Sequence, residues 1–452
     1  MRRSNRRVAR RLTHFERFEE RLALSAQGLT DVPLGQQIQA PSVDLFQEVA
    51  PSLNDAHNQT GLTTVRNQFG FNGAGQTVAV IDTGIAWDHL NLGGGYGAGM
   101  RVVGGYDFAE NDADPYDDPS GYHGTHVAGI IASDHSTYLG VAPGVDLVGL
   151  RVFDDSGNGV FSWVESALQW VHDHRNDYAN PITTVNLSLG ASWNADTVPS
   201  WAMLEDEFAQ LEADGVFIAV AAGNSFTDYN SPGLSYPAAS SYVVPVASVG
   251  SDGNISYFSQ RNSRVLAAPG EQIASTVPDH LFGSDGNPTD VASASGTSMA
   301  APYVAGASVL VREAMEFVGQ SNITQDDIYD VLYNTADIIY DTATAANYHS
   351  INLEAAFAAL MPSDDFGSIA VDAHDLGTTS SLAQTDGIVG TLNDVDFFTF
   401  TADTTGQMSI SVDQTHALDA NLVLVGGNGQ WDDGTFSFDV AVGQDYTFSI
   451  DT

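Results

Sequence analysis

Four short stretches of this chain carry the side chains needed to break an amide bond. Ser298 stands in Gly296-Thr297-Ser298-Met299-Ala300-Ala301-Pro302. The small residues permit a tight turn into a helix, and a hydroxyl at a helix N-terminus gains from the dipole and the free N–H groups. Pro302 is expected in the first helical turns, where an N–H is expendable. His123 opens His123-Gly124-Thr125-His126, and a neutral imidazole accepts a proton near neutral pH. Asp82 follows Val78-Ala79-Val80-Ile81 and precedes Thr83-Gly84. A carboxylate there can accept a hydrogen bond from an imidazole and fix its tautomer. Asn224, in Ala222-Gly223-Asn224, can donate its amide to a developing oxyanion, with the Ser298 N–H as second donor. Nucleophile, base, orienting acid and oxyanion donors are the parts acyl transfer requires.

Each residue alone has a plainer reading: a capping Ser, a turn Asp, a turn Asn. His123 and His126 could also share a metal, but the Glu of a His-Glu-x-x-His zinc helix is absent. The four stretches together, in this order, resemble the subtilisin-like serine proteases over roughly residues 60–360. The resemblance implies an endopeptidase working through an Asp82-His123-Ser298 triad and an acyl-enzyme, with Asn224 in the oxyanion site. It makes His123 the base and His126 structural. It further implies that Ser188, Leu189 and Gly190 line the primary specificity pocket. The loop from Phe153 through Gly157 to Gly159 would form the opposite edge, and Ser235 and Tyr236 the pocket base. The implied partner is a polypeptide in extended conformation, bound as an added strand. No acid stands at the pocket base, which points to apolar or broad preference. Two rivals stand beside this reading. One is a non-catalytic surface or binding protein that kept the fold. The other is an acid-active relative with Glu as base, whose Ser-Gly-Thr-Ser motif Ser295–Ser298 also fits.

The elements that must hold these residues are legible as alternation. Strands are expected over 77–81, 146–153, 182–189, 216–221 and 242–249, with helices over 127–132, 161–172 and 201–213. Alternation predicts an α/β domain, a parallel sheet with helices on both faces, spanning residues 61–361. Its apolar runs suit strands buried on both sides. After Met361-Pro362-Ser363-Asp364-Asp365 the helical pattern ends. Alternating positions such as Phe398/Phe400, Phe436/Phe438/Val440 and Tyr446/Phe448/Ile450 predict a small all-β sandwich over 366–452. Its run Asp394-Val395-Asp396-Phe397-Phe398-Thr399-Phe400 resembles the bacterial pre-peptidase C-terminal module.

Charge narrows the partners. The 452 residues hold 57 acids against 15 basic residues, a formal net charge of −42, and every basic residue is Arg. Such a surface repels phosphate backbones, so nucleic acid is not an expected partner. There is no Cys, hence no disulfide and no thiol nucleophile. No apolar run is long enough to span a membrane. Eight of the Arg lie in residues 1–25, where Phe18 to Ser25 resembles an N-terminal sorting motif of large exported bacterial proteins. A secreted or cell-surface location follows from that resemblance. Residues 26–60 read as a short propeptide or linker, too small for an inhibitory domain's core. Between strand and base, residues 107–118 hold closely spaced carboxylates. Asp112, Asp114, Asp117 and Asp118 are the candidate ligands of a structural calcium ion, which takes six to eight oxygens in flexible geometry. The loop resembles the calcium loop of some subtilisin-like proteases.

Overall fold

The structure is a computed structural model. It describes residues 37–39, 53–117, 119, 121–379, 385, 391–392, 394–411, 421–426, 430–432 and 435–451. The sorting run at 18–25 and Asp118 lie outside the described residues. The chain divides into two compact units, one of residues 1–62, 72–313 and 322–356, the other of 63–71, 314–321 and 357–452.

The first unit is built on a nine-stranded sheet. Its strands in chain order are β1 Thr77–Asp82, β2 Val102–Asp107, β3 Asp146–Arg151, β4 Ile182–Leu187, β5 Phe217–Ala221, β6 Val244–Val249, β7 Leu266–Pro269, β8 Asp337–Asp341 and β9 Ala346–Ser350. In space they run β8-β9-β7-β6-β5-β4-β1-β3-β2. All neighbours are parallel except β8 and β9. Strands β1, β5 and β6 are buried at every position, as central strands covered on both faces must be. The five expected strands form: β1 runs one residue further than expected, to Asp82, and the other four are trimmed by one or two residues. Four others carried no usable signal. Glycine interrupts Val-Val-Gly-Gly-Tyr-Asp in β2, β7 is only Leu-Ala-Ala-Pro, and the β8–β9 hairpin is largely polar.

Three helices position the chemistry or cover the sheet. Helix α1, His123–Ala132, is buried along its whole length. Helix α2, Phe161–His174, buries Phe161, Val164, Ala167, Leu168 and Val171, the three-to-four spacing of one apolar face. Helix α3, Thr297–Phe317, carries Pro302 in its interior.

In the second unit, strands 374–379, 396–402, 445–451 and 421–424 form one sheet, and 406–411, 435–440 and 430–432 a second. Phe398, Phe400, Leu422 and Phe448 of the first sheet share a core with Phe436, Phe438 and Val440 of the second. The strand Asp396–Ala402 alternates strictly between buried and half-buried positions, the period of two that made this region legible. Among the described residues, no helix is long and apolar enough to cross a membrane.

Candidate active site

Asp82 is the last residue of β1, and His123 the first of α1. The His123 Nδ1–H donates to Asp82 Oδ1 at 2.8 Å, and the same oxygen accepts the Thr83 N–H at 2.8 Å. Both side chains are buried, with relative exposures of 3% and 1%. Out of water, a carboxylate so placed fixes the imidazole tautomer with its proton on Nδ1. Nε2 is left as the acceptor, and it is buried with no hydrogen-bond partner.

This meeting of strand end and helix start depends on two glycines. Gly84 has φ +116°, and a Cβ there would lie 2.7 Å from the carbonyl oxygens of Pro115 and Tyr116. A Cβ on Gly124 would lie 2.1 Å from the Gly84 oxygen and 3.1 Å from Asp82 Cβ. The helix start is further held by Asp117. Its Oδ2 accepts the Thr125 N–H at 3.0 Å and the Thr125 hydroxyl at 2.6 Å. Thr83 Oγ1 accepts the Gly124 N–H at 2.9 Å. Burial pushes the Asp117 carboxyl up to about 6, against the hydrogen bonds from Thr125 and Thr83. Burial, then the neighbouring His123, pushes His126 down to about 3, so this ring is neutral. Its Nε2–H donates to the Ala292 oxygen at 3.0 Å.

Strand β4 lies beside β1, with Leu187 opposite Ile81. The next residue, Ser188, therefore stands level with Asp82, one strand spacing away. Ser188 is where Ser298 is tied down. The Ser188 hydroxyl donates to the Ser298 carbonyl at 2.9 Å, and the Ser298 hydroxyl donates to the Ser188 carbonyl at 3.2 Å. The first of these bonds corrects the expectation for Pro302. Helix α3 begins at Thr297, so Pro302 sits in its second turn and removes the N–H that would have reached Ser298 O. Ser188 supplies the missing donor. The Ser298 hydroxyl itself points to a carbonyl, and no hydrogen bond joins it to His123.

Asn224 follows β5. Its Oδ1 accepts the Thr297 N–H and the Thr297 hydroxyl, both at 2.9 Å. A backbone N–H can only donate, so the amide oxygen must face Thr297 and Nδ2 is left as a donor. Asp82, Ser188, Asn224 and Ser298 thus gather at the carboxyl ends of adjacent parallel strands, where open α/β sheets place their sites.

A pocket opens there, lined by Ser188, Leu189, Gly190, Asn224, Ser235 and Ser298 together with Gln260 and Thr297. Gln260 and Thr297 were not expected. Thr297 was visible beside the Ser, whereas Gln260 reaches the site only through the fold. Gln260 donates to Trp193 O and Asn194 Oδ1, each at 2.8 Å. Tyr236 corrects another expectation. Its ring is fully buried against Phe161 and Trp201, and its hydroxyl accepts the N–H groups of Met203 and Leu204. Only its backbone approaches the pocket, 2.9 Å from where a Gly190 Cβ would stand. Phe153 is core, 1% exposed, and Gly157 is a turn residue at φ +79°. The edge strand proper is Asn158–Val160. It is already paired, antiparallel, with the chain's own Gln37–Gln39. Ile38 sits opposite Gly159 and joins the buried cluster that contains Phe153, Phe161 and Leu189.

Among the described residues, the acidic loop does not gather as the calcium expectation requires. Asp112 Oδ1 accepts the Asp114 N–H, and Asp114 Oδ1 accepts the Trp87 indole N–H. Asp117 is withdrawn into the helix start described above. Among the described residues, the three form no common ligand group.

A parallel sheet carrying a buried carboxylate–imidazole pair and a helix-borne serine at its strand ends is the architecture of a serine peptidase. The model of the subtilase family matches residues 73–372. Subtilisin DY of Bacillus licheniformis is 32% identical over 274 residues, covering 60% of this chain and 88% of the relative. Subtilisin E of Bacillus subtilis (strain 168) is 33% identical over 270 residues, 59% of this chain and 63% of that protein. A crystal structure of a cold adapted subtilisin-like serine proteinase is 33% identical, covers 63% of this chain and 89% of its own, and has a TM-score of 0.48. The chain belongs to the subtilase family, and its class is subtilisin-like serine endopeptidase.

Proposed function

We propose that the chain is a secreted or cell-surface endopeptidase in which Ser298 attacks the scissile carbonyl. His123 Nε2 takes the hydroxyl proton and later donates it to the leaving amine, and Asp82 holds the ring and stabilises the imidazolium. Asn224 Nδ2 and the Ser298 N–H stabilise the oxyanion. The observation that carries this reading is the buried 2.8 Å bond from His123 Nδ1 to Asp82 Oδ1, which leaves Nε2 as a bare acceptor. In the working geometry the Ser298 hydroxyl turns from Ser188 O to Nε2. A neutral His126 and a partnered Asp82 leave His123 as the base, which favours this reading over a Glu-based one.

The substrate lies extended beside Asn158–Val160, with its primary side chain in the pocket between Ser188–Gly190 and Ser235. The pairing of Gln37–Gln39 supports that binding mode, since this edge already accepts an antiparallel strand with an apolar anchor. It also supports residues 26–60 as a short propeptide, between a sorting segment at 1–25 and a peptidase domain at 61–361. Residues 366–452 then form an appended module of the pre-peptidase C-terminal type. Calcium is the structural ion that the family resemblance implies, and the 107–118 loop is not where we place it.

The test is turnover of casein and of peptides with apolar or basic residues before the scissile bond. The reading expects cleavage, faster after apolar residues, that is lost in Ser298→Ala. Cleavage that survives Ser298→Ala would refute it.

A further inference from the structure

We infer that the C-terminal β region holds a calcium ion between Asp364, Asp394 and Asp396. Each of these carboxylates offers an oxygen within 4.8 Å of the others. Calcium–oxygen distances of about 2.3–2.6 Å let ligands of one ion stand that far apart.

The independent sign of a ligand is Asp396. It is the first residue of strand Asp396–Ala402, on the inward row with Phe398, Phe400 and Ala402. It is 2% exposed, and its Oδ1 is buried with no hydrogen-bond partner. The oxygens of the three Asp meet at the end of a hydrophobic core. A carboxylate with an unpartnered oxygen on a core-facing position is strongly disfavoured unless it is neutralised, paired or bound to a metal. Among the described residues, the charges that act on Asp396 are the carboxylates of Asp394, Asp365 and Asp364.

The sequence narrows the source of compensation. From residue 357 to 452 there are fifteen Asp and no Lys or Arg. An all-oxygen, all-carboxylate set selects a hard cation over zinc or copper. Of the hard divalent ions, calcium tolerates irregular geometry and fills its shell with carbonyls and water. Asp364 belongs to the segment that leads into the β region, and Asp394 and Asp396 to the start of a central strand. An ion here would tie that segment to the strand. The Asp-x-Asp-Phe run would then be read as two metal ligands followed by the core.

The test uses the full chain carrying Ser298→Ala, which prevents self-digestion, freed of metal and titrated with CaCl2 by calorimetry. The parent is expected to bind calcium with a defined stoichiometry. Asp396→Asn is expected to lose one equivalent or to weaken one site at least tenfold, with the fold checked by circular dichroism. Because Asp396 is buried and its variant could misfold, Asp364→Asn at the exposed ligand serves as the second variant, with a weaker loss of the same site expected. Asp112→Asn is expected to leave that site unchanged. A parent that binds no calcium would overturn the site, and so would Asp364→Asn and folded Asp396→Asn isotherms superimposable on the parent's. In those cases Asp396 is held by a shared proton instead.

Discussion

The strand ends of the large sheet and the entrance to the C-terminal β region both bury carboxylates, but they neutralise them differently. In the large sheet each buried charge has a partner from the same chain. Asp82 receives His123, Asp107 receives Arg151 at 2.7 Å, and Arg261 lies 2.9 Å from Asp341. Asp117 is met by the Thr125 hydroxyl and N–H. In the C-terminal region, among the described residues, the charges acting on Asp396 are those of Asp394, Asp365 and Asp364. Burying a charge demands compensation in either place. The first site is self-contained and poised for chemistry, whereas the second requires something from solution.

If the first site is self-contained, the largest effects come from its own members and do not depend on calcium at Asp396. Ser298→Ala or His123→Ala is expected to lower kcat by roughly 10⁴–10⁶-fold, measured on a chromogenic peptide. Calcium binding at the Asp364–Asp394–Asp396 site should not change. Asn224→Ala removes one oxyanion donor, so kcat should fall about 10²–10³-fold with little change in KM. An effect mainly on KM would place Asn224 in ground-state binding instead.

Packing comes next. Gly124→Ala drives a methyl into the Gly84 carbonyl, and overpacking of this kind costs about 1–3 kcal/mol. Urea unfolding should show that loss, with activity falling further because His123 is displaced. A variant as stable and active as the parent would show that the strand end and helix start are less tightly fitted.

A smaller effect concerns pH. His126 titrates near 3 when folded, below its unfolded value of 6.5. The unfolded chain therefore binds the extra proton across that window, and stability falls as pH falls through it. Asp117 acts oppositely, because its carboxyl is raised to about 6 from 3.8. It favours the folded state in acid and withdraws that support as pH rises towards 6. Unfolding midpoints between pH 7 and 4 should decline less in His126→Gln, whose amide can still donate to Ala292 O, and more in Asp117→Asn. The reverse ordering would contradict these assignments.

What the sequence disclosed follows from range. Asp82, His123, Asn224 and Ser298 sit in short motifs at element boundaries, where turn chemistry and helix starts leave local signatures. Alternation in 396–402 and 435–440 disclosed the β region for the same reason. Asp117 reads as a calcium ligand, although the Thr125 that takes its Oδ2 stands only eight residues further on. The rest of what stayed hidden depends on distant chain segments. Tyr236 reads as pocket floor until Phe161 and Trp201 enclose it. The role of Ser188 as donor to Ser298 O exists only because Pro302 vacates that bond 114 residues away in the chain. Gln37–Gln39 has no strand signature of its own and is a strand only through its partner at Asn158–Val160.

The central claim is that Ser298 is a nucleophile activated by the His123–Asp82 pair. Reaction with a fluorophosphonate, followed by intact mass and peptide mapping, tests it most directly. The account predicts one adduct per chain, located on Ser298, absent in Ser298→Ala and formed far more slowly in His123→Ala. No adduct on the folded, processed protein, or an adduct that persists in Ser298→Ala, would contradict it.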